Sequence, residues 1–361
     1  MTDTVSIHPA ALDAAVQALF RAAGSHDEEA RLAAAQLVGA NLTGHDSHGV
    51  GMIPTYVEIL KAGELHLNRK PETVMQAGAL TVLDGGMGLG QVAGFEAMQV
   101  AIARAKEHGI SLTGLRMSHH IGRIGHWAEL AAAEGLVSLH FVNVISTPVV
   151  APFGGGDARL VTNPVAIGVP RVGAPPLILD FATSKLAVGK VRVALNSGKT
   201  LPPEVLLDAQ GRPTQDPAQL FAGGALLPFG DHKGSGLALM CEILGSALFG
   251  GPVQHEVPTR RRIVNNMLTI AIDPARLGTL DALSADIARL VDWVRASPAT
   301  GEGGVQVAGE PELAARAARA DGVPIDRETW RQLETAADAV GLGAAAWRAA
   351  CGVSGTADTA A

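Results

Sequence analysis

Between residues 80 and 272, short apolar runs alternate with longer stretches of helical periodicity, and this alternation confines the chain to an α/β architecture. The apolar runs fall at 80–83, 137–144, 160–169, 177–181 and 263–272, and helical patterns at 91–107 and 234–248 lie among them. Such an order predicts a largely buried sheet with helices packed on it. The two ends read as helical. Pro9 opens a segment with Leu12, Val16, Leu19 and Phe20 at helical spacing, and Gly24 closes it. Ser25-His26-Asp27-Glu28 then fits a capping box, with Ser25 and Glu28 satisfying each other's backbone donors, and starts a helix to about Asn41. Residues 311–320, 327–340 and 344–350 predict three more helices, separated by Gly322-Val323-Pro324 and Gly341-Leu342-Gly343. The stretch 196–224 is rich in Gly, Pro and Asp and reads as a long excursion, and the small, polar tail after Cys351 is expected to fray.

Composition narrows the function classes. A hydrophobic content of 47% over 361 residues is ample for a sizeable core, and 43 glycines with 20 prolines imply many tight turns. The net charge is −7, and Arg260-Arg261-Arg262, read as a solvated loop, is the nearest thing to a basic run. Nucleic acid is therefore not an expected partner. Two cysteines, Cys241 and Cys351, supply neither a disulfide framework nor a cysteine-based zinc site. The start Met-Thr-Asp-Thr-Val lacks a basic region followed by an apolar stretch, and no uncharged window reaches membrane-spanning length. The expected setting is the cytoplasm, with no membrane partner.

Gly88-Leu89-Gly90-Gln91-Val92-Ala93 matches a G-x-G-x-x-A dinucleotide fingerprint between a strand and a helix. No partner strand ends in an acidic residue at the expected distance, so a simple strand-to-helix turn is the favoured reading. The histidines say more. His45-Asp46-Ser47-His48-Gly49 and Ser118-His119-His120-Ile121-Gly122-Arg123 each place two imidazoles in a glycine-flanked junction. Carbonyl reduction needs a proton donor at the oxygen, and an imidazole suits both directions of that chemistry near neutral pH. Taken singly, each of these histidines reads more readily as capping a helix or pairing with a carboxylate; two clusters in glycine-rich junctions shift the balance toward chemistry. His45 and His48 have the spacing of a metal-ligand pair, but no nearby Glu or Cys completes a shell, and no metal is expected. A third region joins Thr162-Asn163-Pro164, Asp180-Phe181-Ala182-Thr183-Ser184 and His232-Lys233-Gly234. Small hydroxyl residues opening a helix near 182–184, with Lys233 among glycines, could hold an anion, or Thr183 and Ser184 could be ordinary caps. Gly234-Ser235-Gly236 does not match the nucleophile elbow, which sets a serine hydrolase aside.

Taken in order, Asp46-Ser47-His48-Gly49-Val50, Ser118-His119-His120-Ile121-Gly122, Thr162-Asn163-Pro164, Asp180-Phe181-Ala182-Thr183-Ser184, His232-Lys233-Gly234 and Gly309-Glu310-Pro311 resemble the malate/L-lactate dehydrogenase family. Within it, 44–56 and 118–127 are most similar to the hydroxycarboxylate (hydroxyphenylpyruvate) branch. The resemblance implies an α/β fold: a mixed-sheet, non-Rossmann nicotinamide-binding domain with a helical domain formed by both termini. The implied division is 1–75, 76–298 and 299–361, the last packing with the first. It also implies a homodimer and a cofactor that is NAD or NADP, with NAD favoured. His48 and His120 match histidines that act as acid or base in family members, and the resemblance does not rank them. Asp180, Phe181, Ala182, Thr183, His232, Lys233, Gly309 and Glu310 match cofactor-contacting segments, and Tyr56 and Asn163 are assigned to the substrate side.

One departure stands out. Many members carry an arginine four residues after the His48 position, able to hold a substrate carboxylate by a bidentate bond; here the residue is Met52. Arg123 is the expected replacement, and Met52 implies a more apolar pocket suited to a bulky or aromatic 2-oxo acid. The expected activity is hydride transfer between NAD(P)H and a small-molecule 2-oxo or 2-hydroxy acid. Reduction of a cyclic imine or N-alkyl amino acid is the rival within that chemistry, and a metal-dependent hydrolase or lyase the rival outside it.

Overall fold

The computed structural model describes residues 4–196, 198–255, 263–301 and 303–353. The arginine triplet 260–262 and the tail from 354 lie outside them. The chain forms two units, Met1–Arg69 with Glu310–Ala361, and Lys70–Gly309.

The first unit opens with strand β1 (Thr4–Ile7) and helix α1 (Pro9–Ala22), where proline occupies the first turn and the His8 ring accepts the Ala10 N–H. Helix α2 (Asp27–Leu42) begins one residue later than a capping box at Ser25 requires. Its N-cap is His26, which makes no side-chain cap. The Ser25 hydroxyl instead donates to Glu29 at 2.6 Å, while Glu28 pairs with Arg31. Asn68 secures the junction, accepting the His26 N–H and donating its own N–H to Glu29, each at 2.7 Å. Helix α3 (Ile53–Lys61) ends this half.

The second unit runs through β2 (Glu72–Ala77), β3 (Leu80–Asp84), α4 (Gly90–His108), β4 (Ile110–Ser118), α5 (Gly125–Ala133) and β5 (Val137–Ile145). It continues with β6 (Val165–Val169), β7 (Leu177–Phe181) and α6 (Val188–Asn196). Then come β8 (Leu206–Leu207), β9 (Pro213–Thr214), α7 (Ala218–Phe221), β10 (Ala225–Leu226), α8 (His232–Gly245), β11 (Val264–Ile272) and α9 (Leu280–Arg295). Seven strands form one sheet in the order β2-β3-β4-β11-β5-β6-β7. Only β3 and β4 run parallel among these neighbours, so the sheet is mixed rather than doubly wound. Leu83, Met98, Leu115, Ile121, Trp127 and Val142 belong to one core packed between this sheet and its helices.

The chain returns to the first unit with α10 (Glu310–Ala318), β12 (Val323–Asp326), α11 (Arg327–Ala339) and α12 (Ala344–Ala350). Here Trp330 and Trp347 are buried with ring centroids 6.0 Å apart. The segment read as a Gly-Val-Pro separator is in part a strand, since β12 pairs antiparallel with β1. Two other readings change. The run 160–169 is strand only from Val165, and the excursion 196–224 carries β8 and β9, which with β10 make a small sheet. The units also divide at 69/70 and 309/310 rather than 75/76 and 298/299. The reason is local: β2 pairs with β3, and Gly309 lies against Ile178 of β7.

Candidate active site

Strand β4 ends at Ser118, and the loop that follows places His119, His120 and Arg123 before α5 begins at Gly125. Apolar residues interleave with these polar ones. Ile121, Ile124 and Trp127 are buried in the sheet core and anchor the loop on a rigid element. His119 is fully buried, and burial pushes its imidazole down to about 4, so it is neutral at pH 7. His120 is 7% exposed. Gly90, part of the apparent dinucleotide fingerprint, faces this loop: a Cβ there would stand 2.1 Å from the His120 carbonyl oxygen. The Gly88 carbonyl meanwhile accepts the His119 N–H. The glycines serve close backbone packing, which supports the simple turn.

Arg123 is only 2% exposed. One guanidinium nitrogen pairs with Glu129 at 2.5 Å, while Nε and Nη1 have no partner among the described residues. Asp180 lies close by. Its carboxylate accepts the Gly125 N–H at 2.7 Å, and both Arg123 Nη1 and Asp180 Oδ2 fall within 2.8 Å of where a Gly125 Cβ would stand.

Asn163 does not have the freedom that a substrate contact requires. It is fully buried, accepts the Val144 N–H, and donates to the Ala238 carbonyl and to Glu242. Those bonds occupy both amide hydrogens and one oxygen lone pair, so its place is in the framework. Thr183 is likewise internal: fully buried, its hydroxyl lies 3.0 Å from the carbonyls of Thr162 and Asn163. The helix expected near 182–184 begins only at Val188, so neither capping nor anion binding by its first turn applies there. Sequence reasoning missed Glu242, Asn143, Asn265 and Asn266, which form or flank a buried polar cluster. The signal was the Asn-Asn pair inside a mostly apolar strand.

Apart from Glu310, the other segments expected to contact a cofactor lie in the second unit. The end of β7 is bound to the approach to α8: Phe229 N–H donates to the Thr183 carbonyl, and the Phe181 and Phe229 rings meet edge to face at 5.4 Å. His232 and Lys233 are exposed on the first turn of α8, whose N-cap Asp231 has φ 56° and makes no side-chain cap. Asp231 instead faces Lys185 at 3.5 Å. Gly309, at φ 92°, lies against the Ile178 backbone, where a Cβ would crowd the Ile178 nitrogen at 3.2 Å. His232 and Lys233 at a helix N-terminus, and separately the Gly309 cradle beside β7, are groups of the kind that fit a dinucleotide pyrophosphate. Glu310 opens α10, in the other unit.

His48, Met52 and Tyr56 also belong to the first unit. Asp46 is held by Arg319 through two bonds of 2.7 and 3.0 Å and by Asn41 at 2.7 Å, and His45 pairs with Glu312 at 3.1 Å. Gly49 is required where it stands, because a Cβ would meet Asn41 Oδ1 at 2.1 Å. His48 and Met52 are half-buried on this pinned segment. Tyr56, expected on the substrate side, is 1% exposed among Leu19, Phe20, Ile53 and Val57, which places its ring in the apolar core. Among the described residues no cluster of three His, Cys, Asp or Glu could hold a metal, and no helix is long and apolar enough to cross a membrane.

Comparison with known proteins agrees over nearly the whole chain. The sequence profile of malate/L-lactate dehydrogenase matches residues 7–334. The chain is 46% identical over 333 residues to hydroxycarboxylate dehydrogenase B of Escherichia coli, covering 91% of this chain and 92% of that protein. It is 40% identical over 315 residues to an L-lactate dehydrogenase of Cupriavidus necator, covering 86% and 90%. The solved sulfolactate dehydrogenase of Methanocaldococcus jannaschii superposes with a TM-score of 0.86 at 32% identity, covering 94% of this chain and 99% of that one.

Proposed function

Because the chain belongs to the malate/L-lactate dehydrogenase family, we propose that it transfers a hydride between a nicotinamide dinucleotide and C2 of a 2-oxo or 2-hydroxy acid. The observation that carries this reading is the buried guanidinium of Arg123, three residues beyond His120, with Nε and Nη1 lacking acceptors among the described residues. A buried charge with unmet donors is costly, and a substrate carboxylate would supply the missing oxygens. One loop then carries both an anion holder and a proton carrier.

A bound nicotinamide dinucleotide, NAD in preference to NADP, would supply or accept the hydride. Lys233 and His232 at the start of α8 would hold its phosphates, and Gly309 would allow its close approach beside β7. Arg123 fixes the acid's carboxylate and so aims C2. The His120 imidazolium gives its proton to the carbonyl oxygen as the hydride arrives, leaving a neutral ring; in oxidation the neutral ring takes that proton back. Met52 favours a bulky or aromatic acid over a small dicarboxylate. The protein works in the cytoplasm as a homodimer.

The test follows NADH, and separately NADPH, by absorbance with phenylpyruvate, hydroxyphenylpyruvate, pyruvate and oxaloacetate. Oxidation of NADH with an aromatic acid is expected. His120→Gln should abolish it while leaving NADH binding intact, and His48→Gln should not. Abolition by His48→Gln alone moves the proton carrier to His48. Turnover only after an amine is added transfers the reading to imine reduction, and no turnover with any substrate overturns it.

A further inference from the structure

The loop bearing His119 and His120 leaves β4 through Met117, a non-glycine residue with φ 54°. That left-handed conformation is strained for a residue with a side chain, so its surroundings must hold it. They do so on both peptide groups. The Met117 N–H donates to Asn266 Oδ1 at 2.7 Å, and its carbonyl accepts the Met87 N–H at 2.7 Å. The pairing of β11 with β4 shifts register between Asn265 and Met267, which frees the Asn266 side chain for this bond.

Asn266 is the end of a buried relay. Its Nδ2 donates to Asn143 Oδ1 at 2.6 Å, and Asn143 Nδ2 donates to Glu242 Oε2 at 2.6 Å. Asn143 and Asn266 are fully buried and Glu242 is 4% exposed. The order of donors leaves no freedom. A carboxylate that accepts from Asn143 obliges Asn143 to turn its oxygen to Asn266, and Asn266 must then offer its own oxygen to Met117. We infer that Glu242, Asn143 and Asn266 are positioning residues for the proposed acid/base, a side-chain relay whose polarity fixes the Met117 kink and with it the place of His120. This rests on the reading of His120 given above. A displacement of about 1 Å at a reacting group costs on the order of a hundredfold in rate, so the relay acts on turnover rather than on cofactor binding.

The experiment moves the carboxylate from one end of the relay to the other. Asn266→Asp puts an acceptor opposite the Asn143 oxygen, and Glu242→Gln leaves an amide with one oxygen where a carboxylate accepts from Asn143, Asn163 and the Gln254 N–H. Each alone should lower kcat about a hundredfold with KM for NADH unchanged. In the double variant a flipped Asn143 donates to Asp at 266 and accepts from Gln at 242, whose oxygen still serves Asn163; only the Gln254 N–H then faces a donor, so part of kcat should return. Proton NMR of the imidazole Cε1–H signals at fixed pH gives a second readout. The His120 signal should move in each single variant and return in the double, while His26 at the α2 N-cap stays in place. If Asn266→Asp fails to fold, the same series is run on a Met117→Gly background, where the kink is free of strain and the relay's effect should shrink. Single variants with wild-type kcat and an unmoved His120 signal overturn the inference, as does a double variant no better than the worse single. A wild-type protein inactive on every 2-oxo acid overturns the functional reading instead, and the NMR comparison still decides the relay.

Discussion

Asp180 accepts the backbone N–H of Gly125 at 2.7 Å and so ties the end of β7 to the first residue of α5. A carboxylate there meets the positive end of the helix dipole as well as an otherwise unpaired donor. Asp180→Ala should cost about 1–3 kcal/mol in chemical denaturation, and Asp180→Asn, which keeps an acceptor, less. A residue that served the cofactor alone would behave differently. Its alanine variant would unfold like the wild type and only weaken NADH binding, and that result would remove the structural role assigned here.

Acid should weaken this fold through two buried imidazoles. Burial pushes His140, between Ser138 and Thr269, down to about 3 and His119 to about 4. Above pH 6.5 neither state binds these protons, and the stability of the neutral buried rings is fully present. As pH falls below 6.5 the unfolded chain takes up protons that the folded one refuses. Each ring then removes about 1.4 kcal/mol per pH unit until its own folded value is reached. Urea midpoints measured from pH 7 to 5 should fall more steeply for the wild type than for His140→Gln. Equal slopes would mean that this ring is reached by water.

Arg123 sets stability against function. A buried guanidinium with unmet donors is a poor stabiliser, and an apolar side chain of similar length can be neutral or better by about 1–4 kcal/mol. Glu129, its partner, keeps 28% of its side chain exposed and can turn to water. Arg123→Met is therefore expected to melt at or above the wild-type temperature. Its KM for 2-oxo acids should rise at least about tenfold, with KM for NADH unchanged, as expected for a lost charged hydrogen bond of about 1.5–3 kcal/mol. A variant that melts lower and keeps its KM would mark Arg123 as framework only.

Much of this arrangement was legible in the sequence because it depends on local pattern. The apolar runs and their spacing located β3, β5, β7 and β11, and proline at residue 9 with glycine at 24 bounded α1. What stayed hidden depends on partners far along the chain. The exposed β2, half of it polar, exists because β3 pairs with it, and β12 because β1 does. In the site, residue types announced His120 and Arg123. Nothing local showed that Asn163 and Thr183 turn inward, since that follows from Glu242 and from carbonyls some 20 to 80 residues away. The buried Asn265-Asn266 pair was visible, but its purpose was not: only the fold shows that these amides hold the Met117 and Ile121 N–H groups.

Gly90 separates the two readings of the glycine-rich turn after β3. As a phosphate loop it would tolerate a small side chain at some loss of cofactor affinity. As a packing glycine it cannot, because a Cβ would lie 2.1 Å from the His120 oxygen and 2.5 Å from that of His119. Both are backbone atoms, so relief requires moving α4 or the histidine loop itself. Overpacking of this kind costs about 1–3 kcal/mol or more, and the moved element would be the one bearing the proposed acid. Gly90→Ala should therefore lower both the denaturation midpoint and kcat while KM for NADH holds. A stable Gly90→Ala protein with intact kcat and a raised KM for NADH would return the turn to phosphate binding, and would place the cofactor away from α8.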